Sequence, residues 1–245
     1  MPKDSSNTKD QKLAEFQKKI GSNFSDEKIL LTALTHRSFL NENKDKNLQH
    51  NERLEFLGDA VLEFIITELL FQQYPDKTEG DLTSFRAATV KTPSLAESAL
   101  TLNLGDYLYL SKGEEATGGR KRQYILANAF EALIGALYLD QGISAVRKFL
   151  DKYLFPKIKN IIENRLDIDN KSKLQEIVQE ELGFTPNYQL ISETGPDHNK
   201  KFEMAVVIGS IMLTKGIGQN KQEAEQQAAA QALKSWSELK KQHFS

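Results

Sequence analysis

The stretch His50-Asn51-Glu52-Arg53-Leu54-Glu55-Phe56-Leu57-Gly58-Asp59-Ala60-Val61-Leu62 constrains this chain more than any other. Wound as a helix, at about 100° per residue, it gathers Leu54, Leu57, Val61, Phe64 and Ile65 on one side. Glu52, Glu55 and Asp59, spaced i, i+3 and i+7, fall within roughly a 60° arc on another side, and Glu63 extends the row by one turn. A solvated helix face usually mixes Lys or Arg among its acids to relieve their repulsion; this row has none. A hard, oxygen-seeking cation would relieve it as well. Phe56 sits beside the acids and away from the apolar stripe, which suggests a partner surface close to the site. The plainer alternative is an amphipathic helix with an acidic outer face.

Residues Ile125 to Tyr138 read as a second helix, with Leu126, Phe130, Leu133 and Leu137 on its buried side. Asn128, Glu131 and Gly135 lie opposite, again at i, i+3 and i+7. A glycine here costs helix stability relative to alanine, and is expected where another backbone or a ligand comes close. Packed together, the two helices would converge Glu55, Asp59, Asn128 and Glu131 on one point.

With 245 residues the chain can form one large domain or two smaller ones. No apolar run approaches the length of a membrane span, and the N-terminus lacks the apolar core of a signal peptide. The absence of cysteine excludes disulfides and thiolate metal sites, and the four histidines show no zinc spacing. A cytoplasmic protein without membrane contact is the expectation. A net charge of −2 counts against nucleic-acid binding. A metal-dependent nuclease escapes that objection, because its acidic cluster lowers the sum while a separate face stays basic.

Along the chain, residues 1–10 read as a disordered tail and residues 11–163 as an all-α domain. Leu13, Phe16 and Ile20 suggest a first helix, and Ser25 is a plausible N-cap for the next. His36 is expected to be a packed, hydrogen-bonded structural residue. The acidic helix runs from about Gln49 to Tyr74, stopped by Pro75. A helix from Asp81 through Lys91 carries Arg86, read as a structural ion pair in preference to a phosphate contact. Leu104 to Leu110 reads as an apolar connector. Residues 111–123 read as a loop whose Arg120, Lys121 and Arg122 are either solvated or in contact with a phosphate backbone.

Residues 164–169 are polar and charged and make a linker. Residues 170–239 then read as a small α+β domain in the order α-β-β-β-α. Its first helix carries Leu174, Ile177, Val178 and Leu182 and ends at Gly183. Phe202, Met204, Val206 and Ile208 alternate like a strand with one buried face, and the last helix runs from about Lys221 to Trp236.

At these residues the chain resembles bacterial ribonuclease III. HNERLEFLGDAVL resembles the family signature and FEALIGALYLDQG its second block, with Ala33 to Ser38, Glu79 to Leu82 and Gly113 to Arg120 adding to the match. KLQEIVQ, GPDHNKKFEMAV and EAEQQAAAQAL resemble a double-stranded-RNA-binding domain, so the likeness covers nearly the whole chain. The resemblance implies an endonuclease that cuts both strands of duplex RNA, using Mg²⁺ with Mn²⁺ as a substitute. It makes Glu55, Asp59, Asn128 and Glu131 the metal ligands, with Asp59 and Glu131 the catalytic centre and Glu52 and Glu79 secondary acids. The family has Asp where this chain has Asn128, which keeps a ligating oxygen and removes a charge, so the metal site should be weakened.

The likeness further implies RNA contacts by Ser172, Gln175 and Glu176, by Pro196 and His198, and by Lys221. The last helix of such domains usually opens with several lysines. Here it reads Gln219-Asn220-Lys221-Gln222, so the phosphate grip should be weaker than usual. Cutting two strands implies a homodimer, for which Phe56 is the interface anchor. Structured precursor RNAs, ribosomal and messenger, are the substrates the resemblance suggests. Two rivals compete: a dimer that binds duplex RNA without cutting it because Asn128 has disabled cleavage, and a metal-dependent phosphohydrolase of small nucleotides. The RNA-binding module argues against the second.

Overall fold

The computed structural model describes residues 5–43, 48–163, 169–196 and 200–244, and the chain divides into two units between residues 167 and 168. The first unit is helical among its described residues, with one isolated bridge between Thr35 and Tyr109 as its extended pairing. Its middle is α9 (Gln123–Gln141), in which Ile125 to Leu137 are buried apart from Asn128 and Glu131. Against it packs α4 (Glu52–Gln73), whose Leu54, Val61, Leu62, Ile65, Ile66 and Leu70 face the same core. Around this pair lie α1 (Ser5–Ile20), α2 (Glu27–Ala33), α3 (Arg37–Glu42), α5 (Glu79–Val90), α6 (Thr92–Thr101), α10 (Ile143–Tyr153) and α11 (Phe155–Glu163).

Several local expectations change. Residues 5–10, read as tail, are the first turns of α1. Leu13, Phe16 and Ile20 anchor that helix in the core, and once a helix is nucleated its extension through polar residues costs little. Residues 1–4 lie outside the described residues, as do residues 164–168 of the expected linker. The N-cap of α2 is Asp26, not Ser25, with the Asp26 carboxylate accepting from the Lys28 N–H at 2.9 Å. The Ser25 N–H is instead taken by Asp140 at the end of α9, at 3.0 and 3.1 Å to its two oxygens. The apolar connector contains α7 (Leu104–Tyr107), and the expected loop folds into α8 (Lys112–Ala116) and a 3-10 turn at Gly119–Lys121. His36 is structural as expected: it caps α3, its Nδ1 lying 2.8 Å from the Ser38 hydroxyl.

The second unit has the order α12 (Asn170–Leu182), β1 (Asn187–Thr194), β2 (Lys201–Ile208), β3 (Ile211–Gly218), α13 (Lys221–Lys234) and α14 (Trp236–His243). The three strands form an antiparallel sheet with β2 in the middle. Leu174 and Val178 of α12 meet Val206, Ile208, Ala228, Ala229, Ala232 and Trp236 in one core. A Cβ on Gly216 would strike the Ala224 carbonyl and the Ala228 amide, so glycine lets β3 lie directly on α13.

The alternation of β2 does not leave an open face: Ala205 and Val207 are buried along with Met204, Val206 and Ile208. These two lie between longer cross-strand neighbours, Gln189 and Lys215 for Ala205, and Asn187 and Met212 for Val207. The last helix is not continuous through Trp236. It breaks at Ser235 and restarts as α14, which runs past the expected boundary at 239. Glu181 holds the restart, accepting from the Trp236 indole at 2.9 Å and pairing with Lys240 at 2.9 Å.

Candidate active site

The closest approach of α4 and α9 is made by two glycines. A Cβ on Gly58 would strike the Glu131 carbonyl, and one on Gly135 would strike the Leu54 carbonyl and come within 3.1 Å of the Gly58 amide. Side chains therefore cannot separate the two backbones here, and the polar rows on either side are drawn to a common crevice. Gly135 shows the close approach read from the sequence. Gly58, which makes the reciprocal contact, was not singled out, although a glycine inside a strongly periodic helix carries the same signal.

In that crevice the Asn128 amide lies near the Glu55 carboxylate, and Glu55 is raised above the usual carboxylate range. Burial is the main cause, Glu52 and Asp59 add to it by repulsion, and the Asn128 amide opposes it. Glu131 is pushed up to about 8, first by burial and then by the charges of Asp59 and Glu55. Glu55, Asp59, Asn128 and Glu131 thus line one crevice, close enough for their charges to act on one another but not converged on one point as the sequence reading expects. Among the described residues no three acidic or histidine side chains close tightly enough to grip an ion. Coulomb repulsion acts over longer distances than ligation, so the carboxylates sense one another across an open site. Their chemistry fits a hard divalent cation: three carboxylates and one amide oxygen, with one carboxylate short of compensating charge.

The remaining acids do not act on Glu131, although Glu52 acts on Glu55. Glu52 is exposed and pairs with Arg37 at 3.5 Å and the His50 Nδ1 at 3.8 Å. Glu79 is not brought to the crevice. It opens α5 and accepts from the Thr83 hydroxyl at 3.1 Å, beside the capping box of Thr78 and Asp81. The link between α4 and α5 is Arg86, which donates to the Thr67 hydroxyl at 2.9 Å. Glu79 lies two turns beyond that contact, toward the far end of α4. No ion pair of Arg86 is found among the described residues, so its expected role becomes a neutral bridge.

The cationic loop is also mostly internal. Arg120 donates to the carbonyls of Gly105 at 2.8 Å and Leu108 at 2.9 Å and to Glu115 at 2.7 Å. Arg122 pairs with Glu114 and donates to the Thr117 carbonyl at 3.0 Å. These two guanidiniums hold α7 and α8 in place, and only Lys121 keeps a solvent-facing position suited to phosphate.

Phe56 is 80% exposed, so it is not packed into the core of this chain. It rims a cavity of about 710 Å³ whose walls include Ile29, Thr32, His50, Leu57 and Leu139.

In the C-terminal unit Ser172, Gln175 and Glu176 are exposed on one side of α12, and Asp169 accepts from the Ser172 hydroxyl at 2.8 Å. Pro196 is exposed in the β1–β2 connection; His198 lies outside the described residues. Lys221 opens α13 with its ammonium 3.8 Å from Glu193 and 6.0 Å from the centre of the Phe202 ring. A phosphate arriving at Lys221 therefore meets a cation that already has an acidic neighbour.

Comparison with known proteins agrees with both halves. Residues 26–158 match a family model described as ribonuclease-III-like, and residues 170–235 match the double-stranded RNA binding motif. The two together define a class: an endoribonuclease that carries its own duplex-binding module. The chain is 50% identical over 219 residues to ribonuclease 3 of Bacillus cereus and of Bacillus anthracis, covering 89% of each protein. Two solved nuclease domains of ribonuclease III from Campylobacter jejuni are similar in fold. One is 41% identical with a TM-score of 0.52, over 58% of this chain and 96% of that one. The other is 39% identical with a TM-score of 0.50, over 62% and 97%. The chain belongs to the ribonuclease III family.

Proposed function

We propose that this protein hydrolyses duplex RNA at the α4–α9 crevice with Mg²⁺ as its cofactor and Mn²⁺ as a substitute, leaving 5′-phosphate and 3′-hydroxyl ends. The observation that carries the reading is Glu131, half-buried between α9 and α4 and pushed up to about 8 by burial and by Asp59 and Glu55. A carboxylate so placed takes up either a proton or a cation. Bound Mg²⁺ would supply an activated water and charge stabilisation at the phosphodiester. Glu55, Asp59 and Glu131 would hold it, Asp59 and Glu131 nearest the chemistry. Asn128 would offer its amide oxygen, but it lacks the fourth charge. Glu52 and Glu79 fall outside this inner set and would act on RNA position or local charge.

One crevice cuts one strand, so two copies related by a two-fold axis are required for both. A nearly bare Phe56 beside a cavity of about 710 Å³ is self-complementary in the sense an isologous interface needs. One of the Campylobacter nuclease domains is itself described as flexible in a region involved in dimer formation. Lys221, Gln175, Glu176, Ser172, Pro196 and His198 would carry the duplex contacts of the C-terminal unit. Structured ribosomal and messenger precursors in the cytoplasm are the substrates this reading favours.

The uncharged amide at position 128, beside the raised Glu55, supports a second reading, in which the dimer grips duplex RNA and cuts it poorly or not at all. One assay separates the two: cleavage of a long RNA duplex with Mg²⁺ by this chain beside Asn128→Asp. Asn128→Asp should cut at least about 100-fold faster, the scale of losing one stabilising group at a charged transition state. Equal rates would remove the charge argument at position 128. No cleavage by either would defeat the nuclease reading.

A further inference from the structure

Helices α12 and α13 of the C-terminal unit meet over a smooth surface. Leu174 and Val178 of α12 lie against Ala228, Ala229 and Ala232 of α13. Alanine methyls form shallow ridges, so this contact resists separation more than it resists sliding. Directional bonds stand at the start of α12, where sliding would matter. The Lys171 ammonium donates to Glu225 at 2.5 Å, and the Lys171 backbone N–H donates to the Gln226 Oε1 at 3.3 Å. The Gln226 amide donates to the Asp169 Oδ1 at 2.8 Å. Asp169 also accepts from the Ser172 N–H at 3.2 Å and hydroxyl at 2.8 Å. Beneath them the Tyr188 ring of β1 lies 4.7 Å from the Lys171 ammonium. Lys171, Glu225 and Gln226 are all partly buried, so solvent competes with these bonds less than at an open surface.

We propose that Asp169, Lys171, Glu225 and Gln226 are positioning residues for RNA binding: they lock the first turn of α12 in register with α13, so that Ser172, Gln175 and Glu176 reach a minor groove while Lys221 meets a phosphate of the same duplex. This rests on the reading above that both helices face RNA. An A-form duplex presents its grooves and phosphates at fixed spacing. A unit whose two contact elements slide must order them on binding, and that ordering is lost affinity.

The sign of one effect tests this. Glu225 and Asp169 are acids in a unit that binds a polyanion, so on charge alone their removal tightens binding. If these acids set the register, their removal weakens binding instead. The full chain and its Glu225→Gln and Asp169→Asn variants are titrated onto a duplex of about 20 base pairs, a little longer than one such domain spans, with EDTA present so that no strand is cut. Each variant should bind about tenfold more weakly, a loss of about 1.4 kcal/mol. The slope of log affinity against log salt should not change, because no phosphate contact is removed. Circular dichroism sets the assay below the melting transition of every variant, where a purely structural role leaves affinity unaltered. If the neutral variants do not fold, the charge exchange carries the test: Lys171→Glu and Glu225→Lys each weaken binding, and the double exchange recovers it. Unchanged or tighter binding by folded Glu225→Gln and Asp169→Asn overturns the proposal, as does a double exchange no better than its singles. Gln175→Ala and Lys221→Ala are measured alongside. If those two bind like the parent chain, the RNA-facing reading itself has failed, a result distinct from failure of the register account alone.

Discussion

Between α4 and α9 two backbones touch through Gly58 and Gly135, whereas between α12 and α13 alanine methyls meet and side-chain bonds such as Lys171–Glu225 set the register. The first arrangement leaves almost no freedom. The carboxylates of the crevice are held near one another whatever their repulsion, and the unfavourable charge appears as the raised Glu131 and Glu55. The second is adjustable, and its charges are mostly compensated: Lys171 by Glu225, Lys221 by Glu193, Asp169 by hydrogen bonds. On the reading proposed above, the site that would take a cation is built on rigid backbone contact with its charge left over. A surface meant to grip a long polyanion is built on side chains whose charge is provisionally occupied.

The sharpest way to break this contrast is to separate the backbones. Gly58→Ala places a methyl against the Glu131 carbonyl, which has no flexible end to move aside. It should cost about 3 kcal/mol or more and lower the melting temperature by roughly 10 °C, with loss of duplex cleavage even where the protein stays folded. A melt and a cleavage assay on this variant check both, and unchanged stability would show that the helices are not held as close as described. A smaller effect separates the two kinds of cation. Lys221→Ala should reduce the salt slope of duplex binding by about 1. Arg120→Ala should leave that slope alone and destabilise the nuclease unit by about 1–2 kcal/mol, since its guanidinium serves the carbonyls of Gly105 and Leu108. A fall in salt slope on Arg120→Ala would return that arginine to the RNA face.

The same difference between local and long-range contacts decides what the residues alone reveal. The two acidic rows were legible because helical periodicity converts spacing directly into faces. The α-β-β-β-α order was legible because apolar period changes between strand and helix. Gly58 was less visible, because its role depends on which helix lies opposite. The cationic run at 120–122 misled for a related reason: Arg120 and Arg122 have local carbonyl and carboxylate partners that only the folding of α7 and α8 brings near. Glu79 was expected among the secondary acids from the resemblance, yet the α4–α5 turn carries it away from the crevice. The break at Ser235 follows from Trp236 and Lys240 both reaching Glu181 on α12, a long-range contact.

The most direct test of the crevice is its response to protons and to metal. Glu131 is raised in the folded protein, so between about pH 4.5, its ordinary value, and about 8 the folded state holds a proton that the unfolded state has released. Stability from this group is therefore fully present at the acidic end and is lost as pH rises toward 8. Melting temperatures of the parent chain and Glu131→Gln are compared in EDTA and in Mg²⁺ across that range. In EDTA the parent should lose stability relative to Glu131→Gln as pH rises. Mg²⁺ should restore it near pH 8, do little near pH 5, and have a much smaller effect on Glu131→Gln. A parent chain that tracks Glu131→Gln at every pH, with the same response to Mg²⁺, would contradict the claim that these carboxylates are gathered for a cation.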